Sequence, residues 1–246
     1  MEVQIEGRIP VLEALKADRA IKQILLAKGS KGKIIEDIER LSSSKGIPCK
    51  WVTKQIIEER ASTRGHQGII ATAEQRDYVS LEETVLEIDL EEKPIILMLD
   101  HLQDPQNFGA IIRTAETAGV KVIIIPKNRS VGLSPVVARV SAGAVEYLPI
   151  AQVNNLAQAI DWLKEQGYWI VGAEAAAGTT VYRTDLVMPM VMVIGSEGKG
   201  LSRLVKEKCD FLINLPLRGE VNSLNASTAS AALLFEAVRQ RLEKQE

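Results

Sequence analysis

The chain has 246 residues, 46% hydrophobic and 25% charged, as in an ordinary folded protein, and is long enough for one large domain or two smaller ones. No apolar run approaches the roughly 18 residues of a membrane span, and the acidic N-terminus "MEVQIEGRIP" lacks the apolar stretch of a secretory leader. Two distant cysteines, Cys49 and Cys209, and two histidines offer neither a disulfide framework nor a metal cluster, and a net charge of −2 neither demands nor forbids a polyanionic partner. The expectation is a cytoplasmic protein with no membrane segment and no metal.

Charge is unevenly spread. Residues 1–75 carry 13 basic and 10 acidic side chains, 76–92 carry one and 7, and 93–246 carry 16 and 15. The acidic excess therefore sits in "RDYVSLEETVLEIDLEE", which reads as a solvated connector. Before it, "VLEAL" (11–15) reads as a helix and "IKQILLA" (21–27) as a strand. Residues 32–46 place Ile34, Ile35, Ile38 and Leu41 at helical spacing and stop at Gly46. A strand at 48–53, a helix at 54–61 and a strand at 66–73 complete a small α/β layer domain. After the connector, "PIILMLD" (94–100), "KVIIIP" (121–126), "YWIVGA" (168–173) and "VMVIG" (191–195) are apolar without alternation, as in parallel strands buried on both faces. Helices are expected at 107–119 and 154–167, each closed by Gly, and over 225–246, where Ala231, Leu234, Phe235 and Val238 form a stripe. The organisation is a first domain at 1–75, an acidic linker at 76–92 and a second domain at 93–246.

In parallel sheets ligands bind beyond the carboxyl ends of strands. Three segments follow strands and are rich in Gly, Asn, Ser and charge: "DHLQDPQNFGAIIRTA" (100–115), "GSEGKGLSRL" (195–204) and "LPLRGEVNSLNAS" (215–227). The glycines at 195, 198 and 200 have the wrong order for a dinucleotide fingerprint, and no P-loop is present, which disfavours a nucleotide-dependent oxidoreductase. The plainer reading is a strand-to-helix turn with Leu201 and Leu204 in the core, which leaves Glu197 unexplained. In the first segment Asn107 is a favoured helix cap. Arg113, beside the small Gly109 and Ala110, is either a solvated helix Arg or a guanidinium fork for phosphate. His101 is read as a loop residue rather than a general base. Ser223 and Asn225 are favoured caps for the last helix.

Taken together, "DPQNFGAIIRTA", "VIGSEGKGL" and "LPLRGEVNSLNAS" resemble the three motifs of the SpoU branch of the SPOUT RNA ribose methyltransferases. The likeness reaches the first lobe, where "EGRIPVLEAL" and "HQGIIA" are similar to the start and end of that family's L30e-like substrate-binding domain. Within the branch the chain is most similar to the 23S rRNA guanosine 2′-O-methyltransferases. Arg8 stands where Asn or His is common there, and Leu217 where Met is frequent. The resemblance implies an α/β fold: a small L30e-like N-terminal domain, then an α/β-knot domain with a mostly parallel sheet and a C-terminal trefoil knot. Topology rules alone would argue against a knot.

The resemblance also implies S-adenosylmethionine as cofactor, an RNA partner and a homodimer. Motif by motif, Gly195, Leu215 and Leu224 would contact the cofactor. Arg113, Asn107, Glu197, Ser223 and Asn225 would form the reaction site, with Asn107 and Glu197 orienting Arg113. The alternatives within the fold are methylation of tRNA or of a 23S rRNA adenosine. Outside catalysis the alternative is a ribosome-assembly RNA-binding protein. Lys28, Lys31 and Lys33 are either a phosphate patch or a solvated turn.

Overall fold

A computed structural model describes residues 2–220 and 223–244. The chain divides into two compact units, Met1–Asp77 with Gly132–Tyr147, and Tyr78–Val131 with Leu148–Glu246.

In the first unit the elements run β1 (Glu2–Glu6), α1 (Arg8–Lys16), β2 (Ile21–Ala27), α2 (Lys33–Ser44), β3 (Cys49–Val52), α3 (Lys54–Arg60) and β4 (Ile69–Glu74). The sheet order is β1-β4-β2-β3, with β4 antiparallel to β1 and β2, and β2 parallel to β3. Ile35 and Ile38 of α2 are buried with Val11 and Leu15 of α1, which is the face the helical spacing marked.

Residues 132–147 add a short helix, designated α6 in chain order (Pro135–Val140), and a 3₁₀ turn (Ala144–Glu146) to this unit. Their anchor is the nearly buried Glu146, with Arg19 at 3.8 Å and Arg76 at 3.6 Å. Burial pushes the Glu146 carboxyl upward, and the two guanidiniums oppose that push. The Tyr147 hydroxyl donates to Glu13 Oε2 at 2.7 Å. Gly143 is in the left-handed region, where a Cβ would lie 2.4 Å from that of Glu13.

The second unit begins with α4 (Leu81–Leu86) and continues β5 (Ile95–Asp100), α5 (Pro105–Thr117) and β6 (Val122–Pro126). After the excursion to α6 come β7 (Ile150–Val153), α7 (Leu156–Glu165), β8 (Trp169–Ala173), β9 (Thr179–Thr180), β10 (Met190–Gly195), α8 (Arg203–Lys208), β11 (Phe211–Asn214) and α9 (Ala226–Glu243). The strand order is β7-β6-β5-β10-β8-β11-β9, and every pairing is parallel. The four strong apolar runs supply β5, β6, β8 and β10, and β5 and β10 carry almost nothing exposed. β5 leads by way of α5 to β6 on one side, whereas its other neighbour is β10. The loops after β5 and β10 therefore flank the point where the strand order reverses, the usual ligand crevice of such sheets.

Two sequence readings change. The acidic stretch is not merely a solvated connector: Leu81 and Val85 of α4 are 4% and 3% exposed in the core of the second unit, while Glu82, Glu83 and Glu87 face solvent. Its seven acids mask a two-residue apolar stripe four positions apart. On α9, Leu233 and Leu234 are buried while Phe235 is 48% exposed. Small and apolar residues surround that helix, so periodicity alone could not choose its inner face.

Leu81→Ala should destabilise the second unit by about 2–5 kcal/mol, the cost of truncating a buried leucine. Urea unfolding should show a lower midpoint at unchanged slope. An unshifted midpoint would restore the connector reading.

Candidate active site

The site begins with a helix cap. Asp104, not Asn107, is the N-cap of α5, and its Oδ1 accepts from the Asn107 backbone N–H at 2.8 Å. Asn107 falls inside the first turn, which frees its carboxamide. Its Nδ2 donates to Glu197 Oε1 at 2.6 Å. Asn225 closes the group by donating from Nδ2 to Asn107 Oδ1 at 2.9 Å and to Glu197 Oε1 at 3.1 Å.

The orientation of Asn225 follows from its second duty. It is the N-cap of α9, and its Oδ1 accepts from Ser227 N–H at 2.9 Å and Thr228 N–H at 3.3 Å. With the oxygen committed to the helix, the NH₂ must face Glu197. One residue from each of the three singled-out segments thus meets at one carboxylate.

Glu197 is carried by a loop closed on itself. Ser196 N–H donates to Gly200 O at 3.1 Å, and Gly200 N–H to Ser196 O at 2.9 Å. Gly198 and Gly200 take φ of 77° and 64°, which suits glycine. At Gly195 a Cβ would lie 2.2 Å from the carbonyl carbon of Gly200 and 2.5 Å from Leu201 N. The glycine spacing is therefore a packing requirement of this loop. Leu201 is buried, as the plainer reading held, but Leu204 is 54% exposed.

A cavity of about 480 Å³ lies against this loop. Gly195, Leu215 and Leu224, the residues assigned to the cofactor by resemblance, all line it, as do Glu197, Ser223 and Asn225. Its volume is in the range of small-molecule sites. Apolar Ile194, Leu215 and Leu224 line it together with polar Glu197, Ser223 and Asn225, a lining that fits an adenosyl group and an amino-acid tail. Val221 and Asn222 of the third segment lie outside the described residues.

Arg113 does not join the network. Its side chain is exposed and makes no hydrogen bond or ion pair among the described residues, so neither Asn107 nor Glu197 orients it here. Asn107 and Arg113 are six positions apart on α5, which puts them roughly 9 Å apart along the axis and on different faces. Ser223 is exposed on the rim of the cavity.

The residue overlooked in the sequence is Asp100. It is 1% exposed at the end of β5, and its oxygens accept from Ser202 N–H at 2.6 Å and meet His101 Nδ1 at 2.5 Å. It ties the loop after β5 to the loop after β10. An acid ending an otherwise apolar strand was the available signal.

This geometry has counterparts among known proteins. Residues 94–235 match the SpoU rRNA methylase family, and residues 4–79 match an RNA 2′-O ribose methyltransferase substrate-binding domain. A TrmH-family tRNA/rRNA methyltransferase of Bacillus subtilis is 43% identical over 96% of this chain and 94% of its own. The structure of an AdoMet-bound rRNA methyltransferase from Sinorhizobium meliloti superposes with a TM-score of 0.79 at 27% identity, covering 97% of this chain and 87% of that one. The SpoU methyltransferase AviRb of Streptomyces viridochromogenes, at 22% identity, shares the fold with a TM-score of 0.82 over 98% of this chain and 91% of its own. The class is therefore that of the S-adenosylmethionine-dependent RNA methyltransferases. Within it, the chain belongs to the SpoU (TrmH) family.

Asn225→Ser and Asn225→Ala should separate the two duties of that side chain. Serine keeps a capping oxygen, so stability should stay within a few tenths of a kcal/mol, whereas alanine should cost about 1 kcal/mol. Both remove the amide donors to Glu197, and both should slow methyl transfer roughly 10- to 100-fold by loosening the site. Gly195→Ala should weaken S-adenosylmethionine binding about tenfold or more, read by calorimetry, because its Cβ has only backbone to displace.

Proposed function

We propose that the protein methylates the ribose 2′-oxygen of one nucleotide of RNA, a guanosine of 23S rRNA, as a cytoplasmic homodimer. In this reading residues 1–75 recognise the RNA, residues 93–246 perform the transfer, and the C-terminal segments are threaded as a trefoil knot around the cofactor. The observation that carries the reading is the Asn107–Glu197–Asn225 network on the rim of a cavity lined by Gly195, Leu215 and Leu224. A protein that only bound RNA would need no such convergence of amides on one carboxylate beside a cofactor-sized cavity.

When bound, S-adenosylmethionine supplies a methyl group already activated by its sulfonium. The chain's own residues position the acceptor. A guanidinium is a poor proton acceptor, so Arg113 is given no part in removing the hydroxyl proton. Its exposed guanidinium instead holds a substrate phosphate and stabilises negative charge developing on the 2′-oxygen. Asn107 and Asn225 keep Glu197 fixed beside the cavity, and Ser223 offers a hydroxyl at its rim. Gly195, Leu215 and Leu224 hold the cofactor, largely through backbone. No step calls for a metal.

The loop after β2 supports RNA recognition by the first unit. Lys28, Lys31 and Lys33 are all exposed there and form no ion pair among the described residues, and Arg8 Nη1 donates to Lys31 O at 3.1 Å. These cations suit an RNA backbone. For the homodimer, the support is the apolar outer face of α9, where Ala232 and Phe235 are exposed. Leu233 and Ala237 of the same helix are buried within the chain.

Mapping 2′-O-methylation in rRNA and tRNA from a strain lacking the protein tests the substrate, and a lost mark on tRNA alone would overturn the 23S assignment. Arg113→Ala should lower single-turnover methyl transfer by about 10²–10³, as removal of oxyanion donors does. Arg113→Lys should recover only part of it, because an ammonium cannot reproduce the planar fork. Cofactor affinity should be unchanged in both, since Arg113 does not line the cavity.

A further inference from the structure

Among the acids that line the cofactor cavity is Glu174, which belongs to none of the three motif segments. It directly follows β8. Its backbone is fixed there: the N–H donates to Ile213 O of β11 at 2.9 Å, and the carbonyl accepts from Ala177 N–H at 3.0 Å. The side chain is only 18% exposed. A Cβ on Gly200 would come within 3.7 Å of Glu174 Oε2, so the carboxylate borders the glycine loop that carries Glu197. All of these residues belong to the second unit.

Glu174 has acceptor capacity to spare. Its ion-pair partner is Lys206 of α8, whose Nζ lies 3.3 Å from Oε2, and the carboxylate accepts no hydrogen bond among the described residues. The other acceptors on the wall are committed: Glu197 Oε1 takes two carboxamides, and Asn225 Oδ1 takes the cap of α9. A carboxylate so little exposed calls for donors. Because Lys206 already offsets its charge, it attracts a second cation less than a bare acid would, yet it can still accept from neutral hydroxyls.

Strand order says which hydroxyls. β10, β8 and β11 are successive neighbours in the sheet, about 4.8 Å from one to the next. The Asn107–Glu197–Asn225 network stands at the loop after β10, so the methyl group and the sulfur that carries it belong at that end of the cavity. Glu174 lies one strand further on, and Ile213, Asn214 and Leu215 lie two strands further on. In S-adenosylmethionine the ribose follows the sulfur by one carbon, and the adenine follows the ribose. Laid across the strand ends with its methyl at the network, the cofactor brings its ribose, with two adjacent hydroxyls, to the end of β8.

We propose that the Glu174 carboxylate accepts hydrogen bonds from the ribose hydroxyls of the cofactor, with Lys206 holding that carboxylate in place. This rests on the assignment of the cavity to S-adenosylmethionine. Glu174 then selects for an intact ribose, because a ligand without those hydroxyls leaves a half-buried acid unsatisfied. The ribose is the same before and after transfer, so the contact strengthens substrate and product cofactor alike and leaves the chemical step untouched.

Calorimetry on the full chain tests this with three ligands: S-adenosylhomocysteine, its 2′,3′-dideoxy counterpart, and 5′-methylthioadenosine, which keeps both hydroxyls but lacks the amino-acid tail. The wild type should bind the dideoxy ligand about 10- to 100-fold more weakly than S-adenosylhomocysteine, the worth of hydrogen bonds to a charged acceptor. Glu174→Ala should bind S-adenosylhomocysteine and 5′-methylthioadenosine more weakly by that same factor, and should no longer distinguish the dideoxy ligand. Glu174→Gln keeps one carbonyl acceptor and should show a smaller loss, about threefold to tenfold. If Glu174→Ala binds S-adenosylhomocysteine as the wild type does, the carboxylate does not hold the cofactor and the proposal falls. If it weakens S-adenosylhomocysteine but not 5′-methylthioadenosine, the acid serves the amino-acid tail and the ribose assignment is overturned. Should Glu174→Ala show no cooperative thermal unfolding, Glu174→Gln decides, and a preference for the hydroxylated ligand equal to that of the wild type overturns the proposal. If the wild type binds neither S-adenosylmethionine nor S-adenosylhomocysteine, the assignment of the cavity falls and Glu174's role with it.

Discussion

Three carboxamide hydrogen bonds onto and around Glu197 hold together what is otherwise three unrelated loops. Asn107 comes from the helix after β5, Glu197 from the loop after β10, and Asn225 from the cap of α9. Each bond can form because each partner is already fixed by something else. Asp104 caps α5 and frees Asn107; the paired Ser196–Gly200 backbone fixes Glu197; the α9 cap fixes the face that Asn225 presents. The Glu197 carboxylate is exposed and is oriented by two amides donating to Oε1.

The parallel sheet makes this convergence feasible. All strands of the second unit run the same way, so the loops after β5 and β10 emerge on the same edge, beside the reversal of strand order. Asp100 reinforces the junction by bonding Ser202 N–H across the two loops from a fully buried position. The loop after β10 lines both the cavity beside Gly195 and a second one toward the loop after β5.

The first unit solves a different problem. Its four-stranded sheet carries an α1–α2 core of Val11, Leu15, Ile35 and Ile38, and residues 132–147, far away in sequence, complete it. Glu146 sits with two arginines in a nearly buried cluster there. Such a cluster tolerates few alternative placements, because removing one charge leaves the others unpaired. The chain thus leaves the second unit between β6 and β7 and returns, so the two units are interleaved in sequence rather than joined by one linker.

Much of this was legible in the amino-acid order. Unbroken apolar runs specified β5, β6, β8 and β10 as doubly buried parallel strands, and a 3.6-residue period specified the inner face of α2, because both signals are local consequences of burial. The resemblance carried by the three polar segments after strands pointed to Asn107, Glu197 and Asn225, and these three side chains do meet. Other features were decided only by tertiary structure. Apolar residues all round α9 left its inner face to the packing of α5 against it. The docking of Leu81 and Val85 was hidden under seven acids, since a two-residue stripe is too short to register as a period. Which residue caps α5, and hence that Asn107 is free to bond Glu197, depended on one turn of backbone that composition does not resolve. The pairing of residues 90 and 118 positions apart, and the second cavity behind the Glu197 loop, exist only because the sheet brings distant loops to a common edge.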